Sequence, residues 1–313
     1  MSRSTNLRHG LTQDDGKTIL LLGATGQLGA ELLCALTPLG QVHTPGRAQL
    51  DLTQLAAVRS TIETLRPRWI VNAAAYTAVD RAEQEAQQAF AINAEALATL
   101  GESARAVDAA VLHFSTDYVF AGSGTLAHQE MDATCPLNVY GASKLAGEIA
   151  LAASGAKHLI LRTSWVFDSK GQNFLRTILR LALERAEIRV VNDQFGAPTW
   201  SRDLANMAAH VIRRCDSGVG GRLGEMADEW GIYHATSQGE TTWHGFAAAA
   251  LERYARLHPG VPLAKLIGVP TSAYPTAAKR PLNSRLDCTR LSETFKWQMM
   301  DWREALDAVI SEL

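Results

Sequence analysis

A short apolar run, Thr18–Leu22, ends at Gly23-Ala-Thr-Gly26-Gln-Leu-Gly29, and an amphipathic stretch follows to about Leu36. That order of strand, glycine turn and helix limits the folds open to this chain more than any other feature. A run so short, and apolar on both faces, suits a strand buried inside a parallel sheet. Glycine lacks a β-carbon, so the turn can let phosphate oxygens reach the backbone and face the amides of a helix N-terminus. The spacing is GxxGxxG rather than GxGxxG, and a tight turn that needs glycine for shape alone is the other reading.

The pattern then repeats. Gln41–His43 reads as a second strand, Leu55–Leu65 as a helix and Trp69–Ala73 as a third strand. A helical stretch opens within Asn72–Asp80 and continues past Phe90. Ala109–Phe114 is a further strand running into Ser115-Thr-Asp-Tyr-Val-Phe120, Tyr140–Ala153 a helix and His158–Leu161 a strand. This alternation predicts an α/β fold, a Rossmann-like doubly wound parallel sheet. Beyond about residue 166 it loosens. Helices are expected at 173–186, 201–213, 243–257 and 302–313, and strands at 188–191 and 231–235. Residues 194–199 and 218–224 read as loops, and Pro270–Pro281 as extended chain. Residues 18–166, with returning segments of the C-terminal half, are expected to form the nucleotide-binding domain. Residues 167–313 would be mainly a smaller C-terminal α/β substrate lobe.

Charge narrows the partners. The net charge is −2 with no block of like charge, so nucleic acid and anionic membranes are poor candidates. No apolar run approaches the roughly 18 residues that span a bilayer. Residues 1–17 are polar, unlike a signal peptide, and read as a flexible leader. Cys34, Cys135, Cys215 and Cys288 lie far apart with no metal-type spacing, so disulfides and metal sites are not expected and the cytoplasm is the expected compartment.

In open α/β sheets ligands bind beyond the carboxyl ends of the strands. Ala74–Thr77, Ser115–Asp117 and Arg162–Trp165 fall there. Tyr140 and Lys144 share one helix face, where an ammonium would favour phenolate and draw the phenol down from its usual ~10. A phenol tuned that way is a general acid or base. The second strand ends His43-Thr-Pro-Gly-Arg47, with no carboxylate for a ribose 2′-hydroxyl; Arg47 could pair with a 2′-phosphate. NADPH is therefore the expected cofactor, with NADH the alternative.

GATGQLG, LDLT, VNAAAYTAVDRAE, STDYVF, YGASKLAGE, RTSWVF, NDQFGAPT and RPLNSRLD stand in this order from about Lys17 to the C-terminus. Together they resemble the extended short-chain dehydrogenase/reductase group and, within it, the dTDP-4-dehydrorhamnose reductase family. The resemblance implies reduction of the C4 ketone of dTDP-4-dehydro-β-L-rhamnose to dTDP-L-rhamnose, a precursor of bacterial surface polysaccharide. Tyr140 would donate the proton, Lys144 would tune it and bond the nicotinamide ribose, and Thr116 would polarise the carbonyl. Asp117 would hold a neighbouring sugar hydroxyl and Trp165 would touch the sugar or its diphosphate. Thr116 could instead cap its strand end, and Trp165 line the lobe boundary. For the cofactor, Gly26, Gln27 and Leu28 would bracket the pyrophosphate, Gly23 and Gly29 of the same turn would also belong to the cofactor site, and Asp51 and Leu52 would face the adenine. Ala75, Tyr76 and Thr77 would line the ribose–nicotinamide channel, although relatives commonly carry His at the position of Tyr76. Asp51 has a second reading as an N-cap.

Some relatives form homodimers around Mg²⁺ held by glutamates of the first helix and the C-terminal lobe. Glu31 matches the first of these, but Arg202 and Arg303 stand where the other carboxylates would be. Cations cannot ligate Mg²⁺, so no metal site is carried over, and a homodimer by that route is in doubt. Two alternatives stay open. One is a nucleotide-sugar dehydratase or epimerase of the same family, although Tyr118 stands where dehydratases place a glutamate. The other is a non-catalytic regulatory subunit similar to the β subunit of methionine adenosyltransferase.

Overall fold

β1 (Thr18–Leu22) is buried at every position, so layers must cover both of its faces. The structure, a computed structural model, describes residues 18–217 and 229–313. The leader expected over residues 1–17 and the loop expected at 218–224 lie outside the described residues.

From β1 the chain runs through α1 (Gln27–Leu36), β2 (Gln41–His43), α2 (Leu55–Leu65), β3 (Trp69–Asn72), α3 (Val79–Ala82) and α4 (Ala86–Phe90). A π turn at Ala91–Glu95 leads into α5 (Ala96–Ala106), β4 (Ala110–Thr116), α6 (Val139–Ala153) and β5 (Lys157–Thr163). Next come β6 (Val166–Phe167), α7 (Phe174–Glu184), β7 (Glu187–Val191), β8 (Phe195–Gly196), β9 (Thr199–Trp200), α8 (Ser201–Asp216) and β10 (Gly231–His234). The chain closes with β11 (Thr241–Thr242), α9 (Trp243–Leu257), β12 (Lys265–Val269), α10 (Thr289–Phe295) and α11 (Trp302–Ile310).

The main sheet has the order β10-β5-β4-β3-β1-β2, and every neighbouring pair is parallel. Leu22 pairs with Asn72, Asn72 with His113 and His113 with Ile160. That row crosses the sheet near its carboxyl ends and brings two polar side chains together inside apolar strands. One face is covered by Leu32 and Leu36 of α1, Leu204 and Ile212 of α8, and Leu291 and Phe295 of α10. The other is covered by Val58 and Ile62 of α2, Leu97 and Leu100 of α5, and Leu151 of α6. A further core joins Leu175 and Ile178 of α7, Ile188 of β7, Phe246 and Leu251 of α9, and Leu306 of α11. The doubly wound parallel α/β sheet expected from the sequence is the observed fold.

The differences are local. The NDQFGAPT segment, expected as a loop, holds β8 and β9. These pair with β11 and β6, which arrive from elsewhere in the chain. β12 and α10 were not anticipated; β12 pairs in parallel with β7. The extended Pro270–Pro281 stretch contains a 3₁₀ turn at Thr271–Ala273. It is held where the Asp193 carboxylate accepts from the Thr271 N–H at 2.9 Å and the Thr271 hydroxyl at 2.6 Å. Among the described residues, no helix is long and apolar enough to cross a membrane.

Candidate active site

The turn after β1 needs its glycines. Gly23 has φ +82°, and a β-carbon there would lie 2.6 Å from the Ala74 nitrogen; one on Gly29 would lie 1.9 Å from the Gly23 carbonyl oxygen. α1 can therefore start tight against the strand end, with Gly26 as its N-cap in an extended conformation. A cavity of about 790 Å³ opens over this turn and runs across the carboxyl ends of the strands.

Gly23, Gly26, Gln27, Leu28 and Gly29 line one end of the cavity, and Arg47, Asp51 and Leu52 stand beside them. Ala75, Thr77, Tyr140 and Lys144 line the rest. The Asn173 amide donates to Gln27 Oε1 at 2.9 Å, so the start of α7 closes on the glycine turn. Arg47 is exposed and pairs with Asp51 at 3.3 Å. The Thr53 amide and hydroxyl also donate to Asp51, at 2.9 and 2.8 Å. Those two bonds, then Arg47, hold the Asp51 carboxyl below its ordinary value. Asp51 thus fastens the turn ahead of α2, whose N-cap is Gln54.

Tyr76 is not among the residues lining the cavity. Its phenol donates to Glu85 at 2.6 Å, and Glu85 also pairs with Arg81. Its backbone is held by Asn93, which accepts from the Tyr76 N–H at 2.9 Å and donates to the Tyr76 carbonyl and the Ser143 hydroxyl. Asn93 sits in the π turn and so fixes the Ala75–Thr77 channel against α6. In the sequence, one asparagine in a helical run carries no local signal, so Asn93 is not among the expected site residues.

Thr116 and Asp117 follow β4. The Thr116 hydroxyl accepts from the Tyr118 N–H at 3.2 Å, which is the strand-end cap, and donates to Asp117 Oδ1 at 3.1 Å. The other Asp117 oxygen is buried and unpartnered. Burial pushes the Asp117 carboxyl up to about 7, opposed by the Ser284 and Thr116 hydroxyls. Ser284, from RPLNSRLD, is therefore a site residue that the sequence reading did not single out. Arg280 of that motif pairs with Asp80 at 2.6 Å and ties it to the segment after β3.

Burial pushes the Tyr140 phenol up to about 12, and the Thr116 hydroxyl opposes it. Lys144 is 1% exposed. Its Nζ donates to the Phe114 carbonyl at 2.6 Å and lies 2.9 Å from His113 Nε2. Burial draws it down to about 7. The sequence pictured an ammonium beside the phenol; here the lysine nitrogen is held from the strand side. Trp165 takes a left-handed backbone, φ +50°, and stacks on Trp243 with ring centroids 3.7 Å apart. Its ring lies against Gly196 of β8.

Ser115 Oγ and Thr163 Oγ1 are buried without partners, and both residues line the cavity. Buried hydroxyls usually find a partner, so these two suit the polar groups of a dinucleotide. Mg²⁺ fits less well. Glu31 and Glu312 converge on the Arg202 guanidinium, with Nε 2.9 Å from Glu31, while Arg303 pairs with Asp301. Among the described residues, no cluster of three or more His, Cys, Asp or Glu is arranged to hold a metal.

Comparison with known proteins gives a consistent family. Residues 17–313 match the family described as RmlD substrate binding domain. The dTDP-4-dehydrorhamnose reductase of Shigella flexneri is 47% identical over 300 residues, covering 94% of this chain and 97% of that protein. The reductase of Burkholderia thailandensis is 44% identical over 299 residues, covering 94% and 98%. A crystal structure of dTDP-4-dehydrorhamnose reductase from Bacillus anthracis in complex with NADP superposes with a TM-score of 0.85 at 33% identity, covering 95% and 99% of the two chains.

Proposed function

The chain belongs to the RmlD substrate binding domain family, and from that premise we propose that it reduces the C4 ketone of dTDP-4-dehydro-β-L-rhamnose to dTDP-L-rhamnose. The observation that carries this reading is one cavity that starts at a glycine turn and ends at Tyr140 and Lys144, with Thr116 beside the phenol. NADPH, when bound, supplies the hydride. Gly26, Gln27 and Leu28 would hold its pyrophosphate at the N-terminus of α1, Arg47 its 2′-phosphate, and Ser115 and Thr163 other polar groups.

Hydride arriving at C4 makes the carbonyl oxygen an alkoxide that needs a proton. A phenol raised by burial keeps its proton until a strong base forms beside it, and Tyr140 meets that condition. Thr116 would bond the same oxygen and orient it, and the unpartnered Asp117 oxygen would accept a neighbouring sugar hydroxyl. Trp165, at the boundary of the lobe formed mainly by residues 167–313, would border the sugar.

A dehydratase would need a second base after the Thr116–Asp117 pair. Tyr118 stands there, edge-on to Tyr140 at 5.7 Å, and burial pushes its phenol well above its ordinary value. That disfavours a role as base. A purely regulatory subunit would have no use for the Thr116, Tyr140 and Lys144 set. The test is NADPH oxidation followed at 340 nm with the 4-keto sugar nucleotide, and NMR identification of the product. NADPH loss with dTDP-L-rhamnose appearing is expected; folded, cofactor-binding protein that oxidises neither NADPH nor NADH would refute the reading.

A further inference from the structure

Gln27 is the first residue of α1 and lines the cofactor cavity, and its amide is held by Asn173. Asn173 caps α7, where its Oδ1 accepts from the Arg176 N–H at 3.1 Å. A backbone N–H can only donate, so that bond fixes which end of the Asn173 amide is oxygen. Its NH₂ then faces three oxygens: Gln27 Oε1 and the Asp168 carbonyl at 2.9 Å each, and the Lys170 carbonyl at 3.1 Å. Turned over, the amide would set its oxygen against two carbonyls and its NH₂ against an N–H, so only one orientation closes. Gln27 must therefore offer its oxygen to Asn173. Asn173 is the one hydrogen-bond partner of the Gln27 side chain among the described residues, so the Gln27 NH₂ is left unused.

The wall that carries Asn173 is itself fixed. Gly171 and Gln172 line the cavity opposite the glycine turn, and a β-carbon on Gly171 would lie 3.7 Å from Gln27 Cβ. The buried Asp168 carboxylate accepts from the Lys170 N–H at 3.3 Å and from the Ser201 hydroxyl. Glu31 lies one turn on from Gln27 along the same face of α1, and it accepts from Arg202 at 2.9 Å. Arg202 also pairs with Glu312, whose carboxylate accepts from the Ser169 hydroxyl at 2.7 Å. α1 is thus tied to this wall twice, by Gln27 and Asn173 at the cavity and by Glu31, Arg202, Glu312 and Ser169 away from it.

We infer that Asn173 is a positioning residue for the cofactor, turning the Gln27 amide so that its NH₂ and not its oxygen meets the pyrophosphate. This rests on the reductase reading, in which Gln27 holds the NADPH pyrophosphate. Phosphate oxygens accept hydrogen bonds, and an amide oxygen turned towards them would repel. The second tie holds the wall in place, so the orientation is set before the cofactor arrives, which lowers the cost of binding.

Fluorescence titration of NADPH in a double-mutant cycle tests this without the sugar substrate. Gln27→Ala should weaken NADPH binding about tenfold, the loss of one bond to a charged group. Asn173→Ser keeps a helix cap but puts no NH₂ beside Gln27, and should weaken binding about fivefold. Because Asn173 acts through Gln27, the double variant should stay within about twofold of Gln27→Ala. Independent losses would multiply to about fiftyfold and overturn the inference, as would an unchanged affinity in Asn173→Ser. Adenosine 2′-phosphate has no pyrophosphate, so its affinity for Asn173→Ser should stay within about twofold of that for the natural chain. A loss matching that of NADPH would mean a general loosening of the cavity and would also overturn the inference. A chain that passes both tests yet oxidises neither NADPH nor NADH with the 4-keto sugar nucleotide would instead sink the reductase reading.

Discussion

Arg162→Met should cost this protein far more than the loss of a typical ion pair. The Arg162 Nε lies 3.0 and 3.2 Å from the two Glu148 oxygens and Nη2 lies 2.6 Å from one of them. The side chains are 3% and 2% exposed, so solvent screens little of the interaction. An exposed pair would contribute at most about 1 kcal/mol. Here the variant strands a carboxylate inside the protein, with an expected cost of about 3–5 kcal/mol. At about 2–4 °C per kcal/mol, that is a fall in Tm on the order of 10 °C. Thermal melting of cofactor-free protein followed by circular dichroism reads it. Most of the cost belongs to the unpaired charge, so Arg162→Met with Glu148→Leu should recover much of the loss. A double variant melting no higher than the Arg162→Met single would refute the reasoning, because the cost would then lie in lost packing rather than in a buried charge.

Tyr140→Phe should keep NADPH affinity within about threefold, by fluorescence titration, and lower turnover by about 10²–10⁴; near-normal turnover would remove Tyr140 as proton donor. Arg47→Ala should raise the KM for NADPH about tenfold, equivalent to about 1.4 kcal/mol, and leave that for NADH unchanged. Asp117, raised in the folded state to about 7, contributes stability that is present below about pH 4 and lost as pH rises to about 7. Asp117→Asn removes that dependence. Its unfolding free energy relative to the natural chain, read by denaturant melts at each pH, should therefore climb from pH 4 to 8, by up to about 4 kcal/mol at roughly 1.4 kcal/mol per unit; a flat difference would argue against a neutral buried carboxyl.

Much of the architecture could be read from the chain because its signals are local. The Thr18–Leu22 strand and the Leu55–Leu65 helix begin and end where their apolar patterns do, and Tyr140 and Lys144 share α6 because four residues make about one turn. What stayed hidden depends on segments far apart in sequence. β8 and β9 exist only because Thr241–Thr242 and Val166–Phe167 arrive beside them, so NDQFGAPT looks like loop. Asn72 and His113 sit alone in apolar strands; only the parallel register across β3 and β4 makes them neighbours under Lys144. A polar residue inside an otherwise apolar strand was the available signal. Nothing in the sequence announced the left-handed backbone of Trp165.

The edge strand β10 and the covering helices α8 and α10 give the sheet a particular history during synthesis. When residue 166 leaves the ribosome, β5 has an unpaired edge, and the face later covered by Leu204, Ile212, Leu291 and Phe295 is bare. A fragment ending there should aggregate rather than fold, which light scattering of residues 1–166 would check; a soluble, cooperatively melting fragment would contradict it. Assembly must wait for the last third of the chain, so its early contacts span long separations and folding should be slow. During that wait a strand edge and an apolar face stand open to whatever the cell brings, and a nascent chain of this fold is therefore a natural client for chaperones.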